Sequence, residues 1–573
     1  MYPLLEIKNL SIDFLTGSER THAVKNINLI IQRGQIVALV GESGSGKSVT
    51  SLSILQLLPS PPAHYTAGQI LFTEGDKTDD LLQQNNRSLQ AIRGNKISMI
   101  FQEPMSSLNP VVSCGKQVME ALLVHQPLSL KQAKNKVIEF FEKVDLPRPE
   151  NLFYRYPHQL SGGQKQRVMI AMAMCCEPHL LICDEPTTAL DVTVQKSILN
   201  LIKKLQQERN MGVLFITHDL GVVAELADRV AIMYKGEIVE ENAVKAIFDD
   251  PQQAYTKALL ACRPALHSKG KRLPVVSDFL NATAADIGPR YIKEEHQDSI
   301  AASCLVEVKN LTVQFPVKTN LLGKITQSFT AVDDVNFSIY KGETLGLVGE
   351  SGCGKTTLGR TLLGLIEPAK GSILFNNVDI TRFNKKQLHQ FRKDIQLVFQ
   401  DPFSSLNPRL TIGEAIEEPM RVFGSVNSSA RKKTVAALLE KVNLPASYSK
   451  RYPHEFSGGQ RQRIVIARAL ALNPDFLVCD ESVSALDVSV QAQVLNLLND
   501  LKQDMGLTML FISHDLSVVR YMCNRIVIMN KGKIVEEGNS EQVYLNPKSE
   551  YTKTLLTSIP VANGSTSDRL APE

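Results

Sequence analysis

Short apolar runs recur along the chain, QIVALVG at 35–41, KISMIFQ at 96–102, HLLICDEP at 179–186 and GVLFITHD at 212–219, each rich in the branched and aromatic residues that favour strands. Between them lie helix-length segments such as GKSVTSLSILQLL at 46–58 and SGGQKQRVMIAMAM at 161–174. Strands alternating with helices predict an α/β fold.

The pattern then repeats. VGESGSGKS returns as VGESGCGKT, YPHQLSGGQKQR as YPHEFSGGQRQR, and FITHDL as FISHDL, so the chain is a tandem duplication of whole domains. The offset between copies is 307 − 6 = 301 at Glu6 and Glu307 and 331 − 23 = 308 at Ala23 and Ala331, which gives copy two seven extra residues around PVKTNLLGKITQS. It falls from 355 − 47 = 308 to 400 − 102 = 298 between the two lysines and the two glutamines, so copy one has ten extra residues there. Beyond that point Ser161 and Ser457, Glu185 and Glu481, and His218 and His514 all differ by 296. Residues 262–304 mix Pro, Gly, Ser, Lys and Glu without periodicity, the composition of a linker. The expected organisation is a first domain at 1–261, a linker at 262–304, a second domain at 305–560 and a tail at 561–573.

Composition narrows the class. At 573 residues the chain exceeds one ordinary domain, since domains run to roughly 150 residues. Its 43% hydrophobic and 21% charged content is globular, and a net charge of +4 falls short of a dedicated nucleic-acid binder. No apolar run reaches the ~18 residues of a membrane span, and Glu6 and Lys8 interrupt any secretory core at the start, so a cytosolic chain is expected. The nine cysteines form no CxxC pair, and Cys175 and Cys176 in an apolar helix read as buried thiols.

The repeated motifs carry phosphate chemistry. Gly41, Glu42, Ser43, Gly44, Ser45, Gly46, Lys47 and Ser48 fit GxxxxGK[ST] between an apolar strand and a helix, as do Gly349, Glu350, Ser351, Gly352, Cys353, Gly354, Lys355 and Thr356. The glycines let backbone N–H groups wrap phosphates, Lys47 and Lys355 neutralise their charge, and Ser48 and Thr356 offer hydroxyls to Mg2+. Asp184-Glu185 and Asp480-Glu481 each end an apolar strand; the first acid can hold Mg2+ through water and the second polarise an attacking water. His218 and His514 end another strand, facing the γ-phosphate, and Gln102 and Gln400 end a third before a Pro-containing segment. Ser161, Gly162, Gly163 and Gln164, with Ser457, Gly458, Gly459 and Gln460 in copy two, open a long helix as an N-cap and anion site.

Together these motifs resemble two ABC-type nucleotide-binding domains, over nearly everything except the linker and tail. The resemblance implies two P-loop NTPase domains, each with an antiparallel β subdomain and a helical subdomain, using ATP and Mg2+. It implies composite sites, Lys47 facing Ser457 and Lys355 facing Ser161, with Phe14 and Phe315 stacking on adenine and Gln102 and Gln400 serving metal and catalysis. EPMSSLNP and DPFSSLNP after the glutamines, and AYTKALL and EYTKTLL near the ends, are similar to the ATPases of bacterial dipeptide, oligopeptide and nickel importers. Fusion of two halves is most similar to the ATPases of glutathione importers, with those of other peptide, peptide-antibiotic and nickel importers as alternatives and a soluble translation factor further off. The implied partners are two permeases and a solute-binding protein, with no nucleic acid, and the implied location is peripheral, on the cytoplasmic face of the inner membrane. The resemblance also implies that Leu108 and Leu406 line a groove for a permease helix. No cysteine-rich end, hence no iron–sulfur cluster, is expected. Ser482 departs from the family's proline, kept as Pro186 in copy one, and implies only an altered rate or rigidity.

Overall fold

The computed structural model describes residues 2–17, 19–102, 107–187, 190–267, 269–280, 303–319, 325–424, 427–484 and 486–559. The segments Glu103–Ser106 of EPMSSLNP, 320–324, most of the linker and the tail from residue 560 therefore lie outside the described residues. The chain divides into two compact units, one mainly 1–190 and 194–260, the other mainly 261–558.

Each unit is built on a six-stranded sheet. In the first its order is Glu237–Ala243, Arg229–Tyr234, Ile36–Val40, Gly212–Thr217, Leu180–Asp184, Ile97–Ile100, parallel except for the outermost Glu237–Ala243. The second repeats it as Lys533–Asn539, Arg525–Asn530, Thr344–Val348, Thr508–Ser513, Phe476–Asp480, Ile395–Val398. The apolar runs are explained by burial on both faces, the usual condition of parallel strands. In Leu180–Asp184, Leu180 and Ile182 join one core while Leu181 and Cys183 join the other. Gly212–Thr217 divides likewise, with Leu214 and Ile216 to the first side and Val213 and Phe215 to the second.

The first side is covered by a four-stranded antiparallel sheet, whose strands Leu5–Thr16 and Glu19–Ile31 pair through Ile12 and Val24. The second side is covered by helices, among them Cys114–His125, Leu130–Lys143 and Gly162–Met174. The ten extra residues of copy one fall in part in the third antiparallel strand, Ala63–Glu74, which has 12 residues against 6 in its counterpart Lys370–Phe375. Eight of the nine cysteines are buried and all are free, Cys175 and Cys176 lying with their sulfurs 4.0 Å apart. Among the described residues no helix is long and apolar enough to cross a membrane.

Leu108 and Leu406 differ from expectation. Both are 2% exposed, and Leu108 belongs to the helical core of the first unit, so neither side chain presents a surface to a partner. A carboxylate at Leu108 would have to be desolvated inside that core. Leu108→Asp is expected to destabilise the first unit by about 3 kcal/mol, whereas Val111→Asp, at a position 78% exposed, stays within about 0.5 kcal/mol. The denaturant midpoints of the two variants check this.

Candidate functional site

The glycine loop, the acids, the histidine and the glutamine of each copy collect at one edge of the six-stranded sheet because the parallel strands end there together. Val40 pairs with Thr217, and Asp184 with Ile216, so the glycine loop after Val40, the acids after Cys183 and His218 after Thr217 emerge side by side. Ile97–Ile100 runs parallel beside Leu180–Asp184, so Gln102 follows from the same edge. This is where ligands bind in parallel α/β sheets.

The loop is shaped around its lysine. Lys47, 5% exposed, donates from Nζ to the carbonyl oxygens of Gly41 at 2.8 Å and Glu42 at 2.9 Å; Lys355 does the same with Gly349 at 2.7 Å and Glu350 at 2.9 Å. Gly46 ends the loop at φ +107°, where a Cβ would sit 2.7 Å from the carbonyl oxygen of Ala23. Only glycine allows the antiparallel sheet to approach so closely. Gly44, at φ +77°, faces open space instead. Phe14 pairs with Thr21, two residues before Ala23, and is partly buried against the core; Phe315, opposite Phe329, is 38% exposed.

Ser48 Oγ donates to Asp184 Oδ1 at 3.2 Å, and Thr356 Oγ1 to Asp480 Oδ1 at 3.1 Å. Burial pushes the Asp184 carboxyl up to about 6, against the Ser48 hydroxyl and Lys47, and raises Asp480 for the same reason. A hydroxyl beside a carboxylate is an all-oxygen donor pair, which fits a hard divalent cation such as Mg2+ rather than zinc. No cluster of three or more His, Cys, Asp or Glu suited to a metal occurs among the described residues, so phosphate and water oxygens would complete the shell.

Glu185 and Glu481 are each held by a glutamine and a histidine from neighbouring strands. Glu185 Oε2 accepts from Gln102 Nε2 at 3.1 Å and lies 3.3 Å from His218 Nδ1; Glu481 Oε2 has Gln400 Nε2 at 2.8 Å and His514 Nδ1 at 3.6 Å. Both glutamates have φ +46°, a left-handed conformation that L side chains adopt at a cost. Burial opposes ionisation of Glu481, but the His514 hydrogen bond and charge, with Lys355 3.9 Å away, hold its carboxyl below the usual range. Burial likewise opposes protonation of His514, and the hydrogen bond and charge of Glu481 outweigh it, raising the imidazole above its usual value.

Ser161 caps the helix Gly162–Met174, its Oγ accepting from Gln164 N at 3.3 Å while Gln164 Oε1 accepts from Ser161 N at 3.2 Å. Ser457 and Gln460 repeat this at 3.4 and 3.1 Å. Ser161, Gly162, Ser457 and Gly458 are exposed, while a Cβ at Gly163 or Gly459 would strike Val194 or Val490.

Two site residues carry no sequence motif of their own. The hydroxyl of Tyr255, on the helix Ala254–Ala261, accepts from the backbone N–H of Glu42 at 3.2 Å, and that of Tyr551 from Glu350 at 3.1 Å. The repetition of AYTKALL as EYTKTLL was the available signal, and it marked equivalence without revealing that the tyrosine braces the phosphate loop.

The comparisons with known proteins identify the family. Residues 24–188 and 332–484 match the family described as ABC transporter, and 239–292 and 535–572 match the oligopeptide/dipeptide transporter C-terminal region. The chain is 47% identical, over 99% of its length and 91% of the relative's, to the glutathione import ATP-binding protein of Pectobacterium atrosepticum. To the protein of that name from Escherichia coli K12 it is 47% identical over 98% of its length and 90% of the relative's. A dimeric ATP-binding cassette bound to ADP and Pi aligns with 41% of this chain over 99% of its own, at 30% identity and a TM-score of 0.37. The chain belongs to the ABC transporter family, as an ATPase carrying two ATP-binding cassettes in one polypeptide.

Proposed function

We propose that the chain hydrolyses MgATP at both cassettes to drive import of small peptides, glutathione first among them, through separate permeases at the cytoplasmic membrane face. The observation that carries the substrate class is the 47% identity, along 99% of the chain, to relatives named for glutathione import. The match of both cassette ends to an oligopeptide/dipeptide transporter region supports a peptide rather than nickel as cargo. Permeases and a solute-binding protein follow from the family, and a peripheral location fits described residues that hold no spanning helix.

The geometry supports a division of labour. Lys47 and Lys355 take the β- and γ-phosphate charge, with the loop amides. Ser48 and Asp184, or Thr356 and Asp480, with Gln102 or Gln400, would hold Mg2+, which would supply charge to neutralise phosphate oxygens. Gln102 and His218 hold Glu185 through its Oε2, and Gln400 and His514 hold Glu481 the same way, so each carboxylate is fixed in place to orient and take a proton from an attacking water. Little covalent work is required of the protein, since phosphoryl transfer depends mainly on positioning and charge. The exposed helix starts at Ser161 and Ser457 are the groups assigned to closing over nucleotide.

Changing Glu185→Gln or Glu481→Gln alone is expected to lower steady-state turnover at least about tenfold, roughly 1.4 kcal/mol of barrier, with ATP binding retained. Rates and affinities of both single variants and the double check this, and near-normal turnover in one would make its site regulatory. Tyr255→Phe removes one acceptor from the loop, about 1 kcal/mol, so nucleotide affinity should fall about fivefold with little change in turnover at saturation. Uptake of labelled glutathione, dipeptides and nickel by a deletion strain tests the cargo: loss of glutathione uptake is expected, and loss of nickel uptake alone would overturn the peptide reading.

A further inference from the structure

In the second unit the helix Gly458–Leu470, capped by Ser457, carries Arg461 and Arg468. Their spacing is about two helical turns, so both leave the same face. That face meets the segment that follows Gln400. There Asp401 caps the short helix Pro402–Ser405, accepting from the backbone N–H groups of Phe403 at 2.8 Å and Ser404 at 3.2 Å. The guanidinium of Arg461 lies 3.5 Å from the ring centre of Phe403. Its Nε donates to the carbonyl of Pro453 at 2.7 Å and its Nη2 to that of His454 at 3.4 Å, in the turn that leads into Ser457. Arg468 Nη1 donates to the carbonyl of Ser405 at 2.6 Å.

Arg461 is only 7% exposed, while Phe403, at 65%, packs its ring over that charge and not into a core. A planar guanidinium can stack on a ring and donate from its rim at the same time, which an ammonium cannot. One side chain therefore fixes two pieces of chain in a single geometry, the turn before Ser457 and the segment after Gln400. The second piece bears on the chemistry, because Gln400 Nε2 donates to Glu481 Oε2 at 2.8 Å.

The first copy is built differently. At the places of Phe403, Arg461 and Arg468, offset by 298, 296 and 296, the sequence has Met105, Lys165 and Met172. Met172 packs against the helical core, and Met105 lies outside the described residues. A methionine supplies neither an aromatic face nor a donor, and a lysine supplies no plane, so the stacked arrangement belongs to the second copy.

We propose that Arg461, stacked on Phe403, is a positioning residue of the second cassette: it ties Gln400 to the helix start at Ser457, so that Gln400 is held against Glu481 and shifts only together with that helix. Arg468 secures the far end of the same segment. The proposal rests on the reading that Glu481 takes a proton from the attacking water, and it adds the residues that keep this carboxylate placed.

Phe403→Leu is the cleanest probe, since an exposed ring can be removed at little cost to folding. In the purified full chain, assayed without permeases so that no partner contact contributes, it is expected to lower turnover at saturating ATP about fivefold, with KM and nucleotide affinity within about twofold. Phe403→Tyr keeps the ring and should keep most of the turnover. Arg461→Lys, which installs the residue of the first copy, should cause the same fall, and the two changes together no further one. The fall should persist in a Glu185→Gln chain and vanish in a Glu481→Gln chain, because Gln400 acts through Glu481; a general loosening of the fold would lower turnover in both. Wild-type turnover by Phe403→Leu, equal losses in both glutamine backgrounds, a raised KM in place of lowered turnover, Phe403→Tyr behaving like Phe403→Leu, or additive losses would each overturn the proposal and leave the reading of Glu481 standing. Near-normal turnover by Glu481→Gln itself would overturn that reading and the proposal with it.

Discussion

A nearly buried ammonium group organises each cassette. Lys47 and Lys355 are kept from water at the root of their loops, where they donate to carbonyl oxygens of those same loops. A cation so placed favours a bound anion strongly, because little solvent competes for it. The requirement propagates outward: the carbonyls must turn inward, which turns the amides of the loop outward, and Gly46 must take a left-handed conformation to close the loop against Ala23. The doubly buried parallel sheet below then fixes where acids, glutamine and histidine emerge.

Much of this was legible in the sequence because each motif position tolerates few residue types. A glycine loop with a terminal lysine, two adjacent acids after an apolar strand, and a serine opening a glycine-rich helix start each carry their own chemical reason. The α/β fold and the antiparallel subdomains followed from strand and helix alternation and from the family likeness. What stayed hidden depends on contacts distant along the chain. The Tyr255 hydroxyl reaches a loop 213 residues away, and Asn496 holds a backbone 223 residues away. Leu108 was misjudged because an apolar residue in a Pro-containing segment reads alike whether it packs inward or faces a partner.

The two cassettes are alike in machinery and unlike at its margins. In the first, Asp13 is buried with Arg20 and His22 one residue from Phe14, and these neighbours hold its carboxyl low although burial opposes them. The equivalent pair in the second is Gln314 donating to Thr330 at 3.2 Å, with no charge. Phe14 and Phe315 therefore sit in different electrostatic surroundings. Ser482, buried where the first copy has Pro186, adds a second difference beside the carboxylate of Glu481.

The left-handed backbone at Glu185 and Glu481 has a consequence for how such a duplicated chain can change over generations. Glycine, and to a lesser degree asparagine and aspartate, occupy that conformation with less strain than glutamate, by about 1 kcal/mol. Replacement by any of these shortens or removes the carboxylate arm while relaxing the main chain. Selection for thermal robustness alone would thus push either copy toward silence, and a laboratory search for hardier variants is biased toward dead enzymes. Both copies nevertheless keep glutamate there, at a cost in main-chain strain that stability alone would not maintain.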